Sequence, residues 1–125
     1  MSNLDIQSLL RLPADKRYTY LIQQVIEHEK IWILKGGSGS VLVGYDGQKS
    51  VPVWPHKSAA KMHINGDWSD CSCHAISLGD WQSRWTSGLT EDGLSLVVFM
   101  DDNEEGIIVS PEEFDDDLYM AMQAE

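Results

Sequence analysis

The sequence predicts an α+β domain in which helices cover an antiparallel or mixed sheet of about five strands. Near the N-terminus apolar residues recur with the period of a helix, and through the middle of the chain they form short runs of strand length. The helical period returns later, on either side of the most apolar run of the chain. The predicted order of elements is therefore α-β-β-β-α-α-β-β-α.

The first helix is predicted to begin near Pro13, because proline lacks an N–H that the first helical turn would leave unbonded in any case. Apolar side chains then repeat along one face at the spacing of successive turns. The members of this face are Tyr18, Leu21, Ile22, Val25 and Ile26. The pattern breaks at Lys30, where we expect a strand to take over.

Three short strands are predicted next, over residues 31–34, 41–45 and 50–54. Segment 36–40 separates the first two, and Asp46-Gly47, which tolerates positive φ, separates the next two. Segment 36–40 is rich in glycine, but it lacks the Lys-Ser/Thr ending of a phosphate-binding loop and precedes a strand. We interpret it as a hairpin turn, and turns this short predict an antiparallel meander.

Pro55 stops the third strand, and a short helix is predicted over residues 56–64, followed by a loop up to Ser77. Ser77 and Asp80 resemble a capping box, so a second helix is predicted to begin there and to end at Asp92-Gly93. Its buried stripe consists of Trp81, Trp85 and Leu89.

Residues 94–100 are predicted to form a central strand, with residues 107–109 as its hairpin partner across an acidic turn. The last helix has the clearest start of the chain, with Ser110 as N-cap, Pro111 in the first helical position and Glu113 as the reciprocal cap. Its predicted buried face consists of Phe114, Leu118, Tyr119 and Met122.

The length of 125 residues, with 42% apolar and 23% charged residues, predicts a single globular domain over 1–125. Within it we expect an N-terminal extension, residues 1–12, and a globular core, residues 13–123. Residues 1–12 lack the pattern of a signal peptide, and no apolar window is long enough to span a membrane. With Cys71 and Cys73 as its two cysteines, the chain is expected to be cytoplasmic.

The net charge of −11 is distributed unevenly. Residues 1–84 contain 8 acids and 9 bases, which gives +1, whereas residues 85–125 contain 12 acids and no base, which gives −12. Such a chain repels phosphates, so nucleic acids and anionic membranes are not expected partners. The acidic segment predicts either a surface that keeps the protein from associating or a face that binds a basic protein partner.

The acids available for a partner lie in the predicted turn and the last helix. They are Asp101, Asp102, Glu104, Glu105, Asp115, Asp116 and Asp117. Their spacing does not match the alternating ligands of a calcium-binding loop, so no calcium site is predicted.

A ligand pocket, if the chain has one, is predicted at the strand-to-helix junction Trp54-Pro55-His56. An indole there can stack on a ligand, helix N–H groups can hold an anion, and His56 can carry charge or a proton. The alternative is that Trp54 is part of the core and His56 merely starts the helix. Trp32 and Trp68 are further candidates for ligand binding, because tryptophan is enriched in interfaces, although it also fills small cores.

Cys71, Cys73 and His74 contain the residue types of a zinc site, but they lack a second ligand pair at the usual spacing. We therefore predict no metal and no cofactor, and nothing in the pattern favours a catalytic cysteine.

Several of these segments together resemble a known family. They are Arg17-Tyr18, Trp32, Pro52 to His56, Trp85, Val97 to Phe99 and Val109 to Glu113, which precede the acidic last helix. The chain is similar, over about residues 15 to 120, to the short bacterial domain-of-unknown-function family twenty-seven-fifty. This resemblance implies the extent of the domain and no activity. A weaker similarity of pattern to SseB-like domains implies an interaction module.

The leading hypothesis from the sequence is a non-enzymatic interaction or regulatory module, monomeric or homodimeric, that uses its acidic C-terminal face. The alternative is a small-ligand-binding protein or an enzyme with a pocket at the Trp54-Pro55-His56 junction.

Overall fold

A computed structural model describes residues 6–36, 39–40, 42–45, 48–64, 68–101 and 105–123. It contains helices α1 (Ile6–Leu10), α2 (Ala14–His28), α3 (Lys57–Lys61), α4 (Leu78–Asp80), α5 (Thr86–Glu91) and α6 (Pro111–Gln123). A π-helical segment, Trp81–Trp85, joins α4 to α5. The strands are β1 (Lys30–Gly36), β2 (Gly39–Ser40), β3 (Val43–Tyr45), β4 (Gln48–Val53), β5 (Ser72–Ser77), β6 (Ser95–Val98) and β7 (Ile107–Val109).

The combination of helices with antiparallel and mixed sheets confirms the predicted α+β class. In place of one sheet of about five strands, the described strands form two sheets. One sheet has the order β2-β1-β5 and is antiparallel, and the other has the order β3-β4-β6-β7. In the second sheet β4 and β6 run parallel while the outer pairs are antiparallel, so this sheet is mixed. An antiparallel bridge between Trp32 and Trp54 connects the two sheets through a pair of backbone hydrogen bonds of 3.1 and 2.9 Å.

The predicted meander is correct in part. The β3–β4 hairpin exists, with Tyr45 opposite Gln48, while its turn, Asp46-Gly47, lies outside the described residues. The meander is wrong for β1 in two respects. Its antiparallel neighbour β2 lies within the segment predicted as a turn, residues 36–40, and its other neighbour is β5. β5 occupies part of the segment predicted to be a loop, and six of its residues pair with residues 30–35 of β1.

The helix predictions hold at most positions. α2 buries Leu21, Ile22 and Val25 as expected, and it begins just after Pro13, whose carbonyl accepts the first helical hydrogen bonds. The segment predicted as an N-terminal extension contains α1, from which Leu9 reaches the core.

Both predicted N-caps of the later helices are present. The Ser77 hydroxyl accepts a hydrogen bond from the Asp80 N–H at 3.1 Å, and the Ser110 hydroxyl accepts one from the Glu113 N–H at 3.0 Å. A capping bond of this kind stabilises a helix by about 1 kcal/mol.

The predicted buried face of α6 is wrong for two of its four members. Phe114 and Leu118 are fully buried, but Tyr119 is 60% and Met122 is 40% exposed. Phe114 and Leu118 lie four residues apart, on one face of the helix, whereas Tyr119 follows Leu118 directly and is turned about 100° away from it.

The core combines side chains from the helices and from both sheets. Phe114 of α6 packs edge-on against Tyr18 of α2 and against Trp81 of the π-helical segment, with ring centroids 6.3 and 5.9 Å apart. β6 is buried along most of its length, as expected for a central strand. Within the described ranges, no helix is long and apolar enough to cross a membrane.

Candidate functional site

A cleft opens where α2 ends and where β4 leads into α3. It has a volume of about 230 Å³ and is lined by His28, Lys30, Trp32, Pro55, His56 and Lys57. We call it the His56 cleft. It lies at the junction that the sequence predicted for a pocket, although the lining differs from the predicted set.

The end of α2 is shaped by Glu29, which adopts the left-handed conformation with φ of 58°. Its N–H donates to the Val25 carbonyl at 2.7 Å, which closes the helix, and the chain then turns into β1. His28 and Lys30, on the two sides of this turn, therefore both reach the cleft. Trp32 lies on the same face of β1 as Lys30, because side chains alternate along a strand.

The opposite wall is formed by the segment that connects β4 to α3. The Trp32–Trp54 bridge brings the end of β4 beside β1, so Pro55 and His56 face the first wall. His56 occupies the N-cap position of α3 in an extended conformation, and its carbonyl accepts a hydrogen bond from the Ala60 N–H at 3.2 Å.

His56 is held in place by aromatic neighbours. Its Nε2 lies 2.6 Å from the Tyr20 hydroxyl, the Tyr20 ring meets it edge-on at 5.7 Å, and the His28 ring does so at 6.1 Å. Burial lowers the pKa of His56 below its usual value, and His28 lowers it further, while Glu27 acts in the opposite direction. Burial, with Glu27, raises the pKa of Tyr20.

At neutral pH these shifts leave the Tyr20 hydroxyl with its proton and the His56 imidazole neutral. The tautomer of the His56 ring then sets which of the two groups donates the hydrogen bond. A negative charge placed in the cleft would favour protonation of His56, because it stabilises the cationic form.

The charges around the His56 cleft are mainly positive. Lys30 and Lys57 are exposed at its rim, and His28 and His56 can each add a charge on protonation. Trp32 is half-buried and supplies an apolar indole surface. This combination can hold a small anion, and it suits an anion that carries a flat apolar group.

Of the predicted ligand-binding residues, two line this cleft and two do not. His56 and Trp32 line it, whereas Trp54 is fully buried, with its ring 4.9 Å from that of His63. Trp68 is half-buried and packs against the core.

Sequence reasoning missed His28, Lys30 and Lys57. The sequence does contain a pattern that could have indicated them. His28 ends α2, Lys30 begins β1 and Lys57 begins α3, next to the Trp54-Pro55-His56 junction. What could not be inferred was that β1 and the β4–α3 junction lie side by side.

The three residues of zinc-ligand type considered from the sequence, Cys71, Cys73 and His74, lie on β5 or directly before it. On β5, Cys73 and His74 are adjacent and thus point to opposite faces of the sheet. The Cys73 thiol lies 3.7 Å from the Lys57 carbonyl, and burial raises its pKa although Lys57 and Lys61 act in the opposite direction. In the described part of the chain, no three metal-ligating side chains come together.

The acids predicted to meet a partner have different surroundings. Asp101 lies 3.8 Å from the Arg17 guanidinium and accepts the Glu105 N–H, and Asp117 accepts the Tyr18 hydroxyl. The side chains of Glu105 and Asp116 are exposed and that of Asp115 is half-buried. Asp102 and Glu104 lie outside the described residues.

Fold and site together define a small α+β domain, built on two sheets joined at a tryptophan bridge, with a basic cleft beside that bridge. The family model described as "Protein of unknown function (DUF2750)" matches residues 18–118, and the chain belongs to this family. The sequence resemblance to family twenty-seven-fifty is thereby confirmed. No curated protein matches the chain.

Proposed function

We propose that the protein binds a small anionic ligand, such as a phosphate or carboxylate attached to a flat apolar group, in the His56 cleft. The observation that carries the proposal is the meeting of two lysines, two histidines and an indole in one concavity of a chain with net charge −11. In a chain with such an excess of acid, a concave basic surface is the part suited to attract an anion.

The chemistry of the lining supports this class of ligand. Lys30 and Lys57 offer ammonium groups to an anion, and protonated histidines add charge-assisted hydrogen bonds. Trp32 offers a surface on which a flat group can stack. Because Tyr20 fixes the His56 ring, little side-chain freedom is lost on binding.

The test uses inorganic phosphate and phenyl phosphate as probes, measured by isothermal titration calorimetry. Phenyl phosphate is expected to bind more tightly than phosphate, because the phenyl group gains contact with Trp32. Replacing Lys57 with glutamine is expected to weaken phenyl phosphate binding about tenfold, the equivalent of one lost charge-assisted bond of roughly 1.4 kcal/mol.

Two lysines of β1, Lys30 and Lys35, provide a matched pair of variants. Lys30→Gln removes a cleft charge, whereas Lys35→Gln removes an equally exposed charge of β1 outside the cleft. The first variant is expected to bind more weakly and the second to bind like the wild type. The proposal is refuted if neither probe binds. It is also refuted if Lys30→Gln and Lys35→Gln lose equal affinity for phenyl phosphate.

Binding is also expected to take up a proton. His56 is neutral at pH 7 and the bound anion favours its charged form, so affinity for an anion whose own charge is constant, such as phenyl sulfate, should rise as the pH falls below neutrality. His56→Gln should bind with a weaker dependence on pH.

The second candidate function is the one that the charge distribution suggested, an interaction module that uses α6. Tyr119 and Met120 are 60% and 69% exposed and lie on the same helix as the exposed acids Glu112 and Asp116. Aromatic and methionine side chains are enriched in interfaces, so this face fits a basic partner with an apolar patch. The affinity of this α6 face for a basic partner would fall steeply as the salt concentration rises.

A further inference from the structure

A second cleft lies along the helical stretch α4–π–α5. It has a volume of about 290 Å³ and is lined by Arg84, Trp85, Gly88, Leu89, Asp92 and Leu94. We call it the Trp85 cleft. It shares no lining residue with the His56 cleft, and the proposed function makes no use of it.

The apolar part of this cleft is firmly positioned. Trp85 stacks on the fully buried Trp81, with ring centroids 5.4 Å apart and an angle of 8° between the planes. This stack occurs within the π-helical segment, in which the Thr86 N–H bonds to the Trp81 carbonyl, five residues earlier. Single π-helical turns are often found at functional sites. Leu89 and Leu94 complete the apolar surface.

Arg84 and Asp92, which carry opposite charges, line the same cleft without forming an ion pair with each other. Among the described residues, neither the Arg84 guanidinium nor the Asp92 carboxylate takes part in an ion pair. Along the helix, Arg84 and Asp92 are eight residues apart, or about 12 Å at 1.5 Å per residue. A small molecule that carries both charges can fill the gap between a long arginine and a short aspartate side chain.

The room for such a molecule is at Gly88, halfway between the two charges. A Cβ atom built on Gly88 would meet nothing within 4 Å, so the space above this residue is open. The cleft volume is close to the lower limit of small-molecule sites, which begins at about 300 Å³. It therefore suits a ligand of the size of one amino acid.

We propose that the Trp85 cleft binds a free α-amino acid with an apolar or aromatic side chain. Arg84 pairs with the carboxylate, Asp92 pairs with the ammonium group, and the side chain lies against Trp85, Leu89 and Leu94. An arginine alone would select anions and an aspartate alone would select cations, so the pair selects a zwitterion.

The test follows the indole N–H resonance of Trp85 by NMR while three probes are added to the full chain. The probes are L-phenylalanine, phenethylamine, which lacks the carboxylate, and 3-phenylpropanoate, which lacks the ammonium group. Phenylalanine is expected to bind at least about tenfold more tightly than either analogue, since each analogue leaves one charge unpaired.

Variants separate the two charges. In Arg84→Gln, phenylalanine is expected to bind no better than phenethylamine, and in Asp92→Asn no better than 3-phenylpropanoate. Both residues are exposed, so these changes leave the packing of the domain in place.

A matched pair of glycine variants tests the location. Gly88→Leu fills the cleft and should abolish binding, whereas Gly79→Leu places the same side chain in open space on α4, outside the cleft, and should not change it. The proposal is overturned if no probe moves the Trp85 resonance, if the three probes bind equally, or if the two glycine variants behave alike. Phosphate binding in the His56 cleft is unaffected by any of these outcomes.

Discussion

Arg17 shows how a single buried charge connects distant segments of this protein. It is 4% exposed, and its guanidinium donates to the carbonyls of Phe99, Leu12 and Glu105 at 3.0, 2.6 and 3.0 Å. Asp101 lies 3.8 Å away and supplies the opposite charge. These contacts join the start of α2 to the chain on both sides of residues 102–104. A buried charge is tolerated where such partners satisfy it.

We predict that Arg17→Met lowers the free energy of unfolding by about 3–5 kcal/mol, because it removes the donor to three carbonyls and the positive charge beside Asp101. Urea denaturation followed by tryptophan fluorescence measures the change. The neighbouring exposed residue provides the control, since Lys16→Met should change stability by less than about 0.5 kcal/mol. Equal effects of the two substitutions would show that Arg17 contributes no more than a surface charge.

Single residues were also where sequence reasoning was least informative. Arg17 entered only as part of a family resemblance, because its partners are backbone carbonyls, which leave no signature in a sequence. From the sequence, Trp54 was a candidate both for stacking on a ligand and for the core. The structure shows that it is fully buried and that its backbone forms the bridge to Trp32. Tyr119 was assigned to a buried face because it is apolar, yet amphipathic side chains are common on surfaces.

At the scale of elements, caps and periodicity predicted the helices well, and pairing partners were harder to infer. β5 reads Ser-Cys-His-Ala-Ile-Ser, in which only Ile76 is a strongly apolar β-branched residue, so the sequence indicated a loop. It becomes a strand because β1 offers a pairing edge more than 35 residues earlier in the chain, with Ile31 opposite Ile76. Local propensity carries no information about such a partner.

The turn between α2 and β1 holds one residue in a strained backbone conformation. Glu29 is held at φ of 58°, a conformation that costs a residue with a Cβ about 1–2 kcal/mol and costs glycine little. Glu29→Gly should therefore stabilise the domain by about 0.5–1 kcal/mol, once the greater freedom of glycine in the unfolded chain is subtracted.

Glu29→Ala is the matched control, because it removes the carboxylate but keeps the Cβ. It should stay within about 0.5 kcal/mol of the wild type in urea denaturation. If alanine stabilises as much as glycine does, the effect comes from the lost charge near Glu27 and not from the backbone.

For the molecule as a whole, the structure shows where the unevenly distributed charges of the sequence lie. The balanced segment, residues 1–84, contributes all the basic residues of the His56 cleft. The acidic segment contributes β6, β7 and α6, and two of its acids have internal partners, Asp101 with Arg17 and Asp117 with Tyr18. Composition could show the imbalance, but it could not separate the acids that hold the fold together from those left at the surface.

The stability of the whole domain is expected to depend on pH through His56. In the unfolded chain His56 titrates at its ordinary pKa of about 6.5, whereas burial lowers that pKa in the folded domain. Above the unfolded pKa both states are neutral and His56 costs nothing. As the pH falls through this value the unfolded state takes up a proton first, so the free energy of unfolding decreases until the folded pKa is passed.

His56→Gln removes this titration and leaves all carboxylates in place. The difference in unfolding free energy between the wild type and this variant should therefore move in favour of the variant between about pH 7.5 and pH 5.5. Urea denaturation at a series of pH values measures it, and a constant difference would contradict the half-buried, neutral state of His56. Phenyl phosphate bound in the His56 cleft should reverse the trend, because it stabilises the protonated imidazole of the folded state.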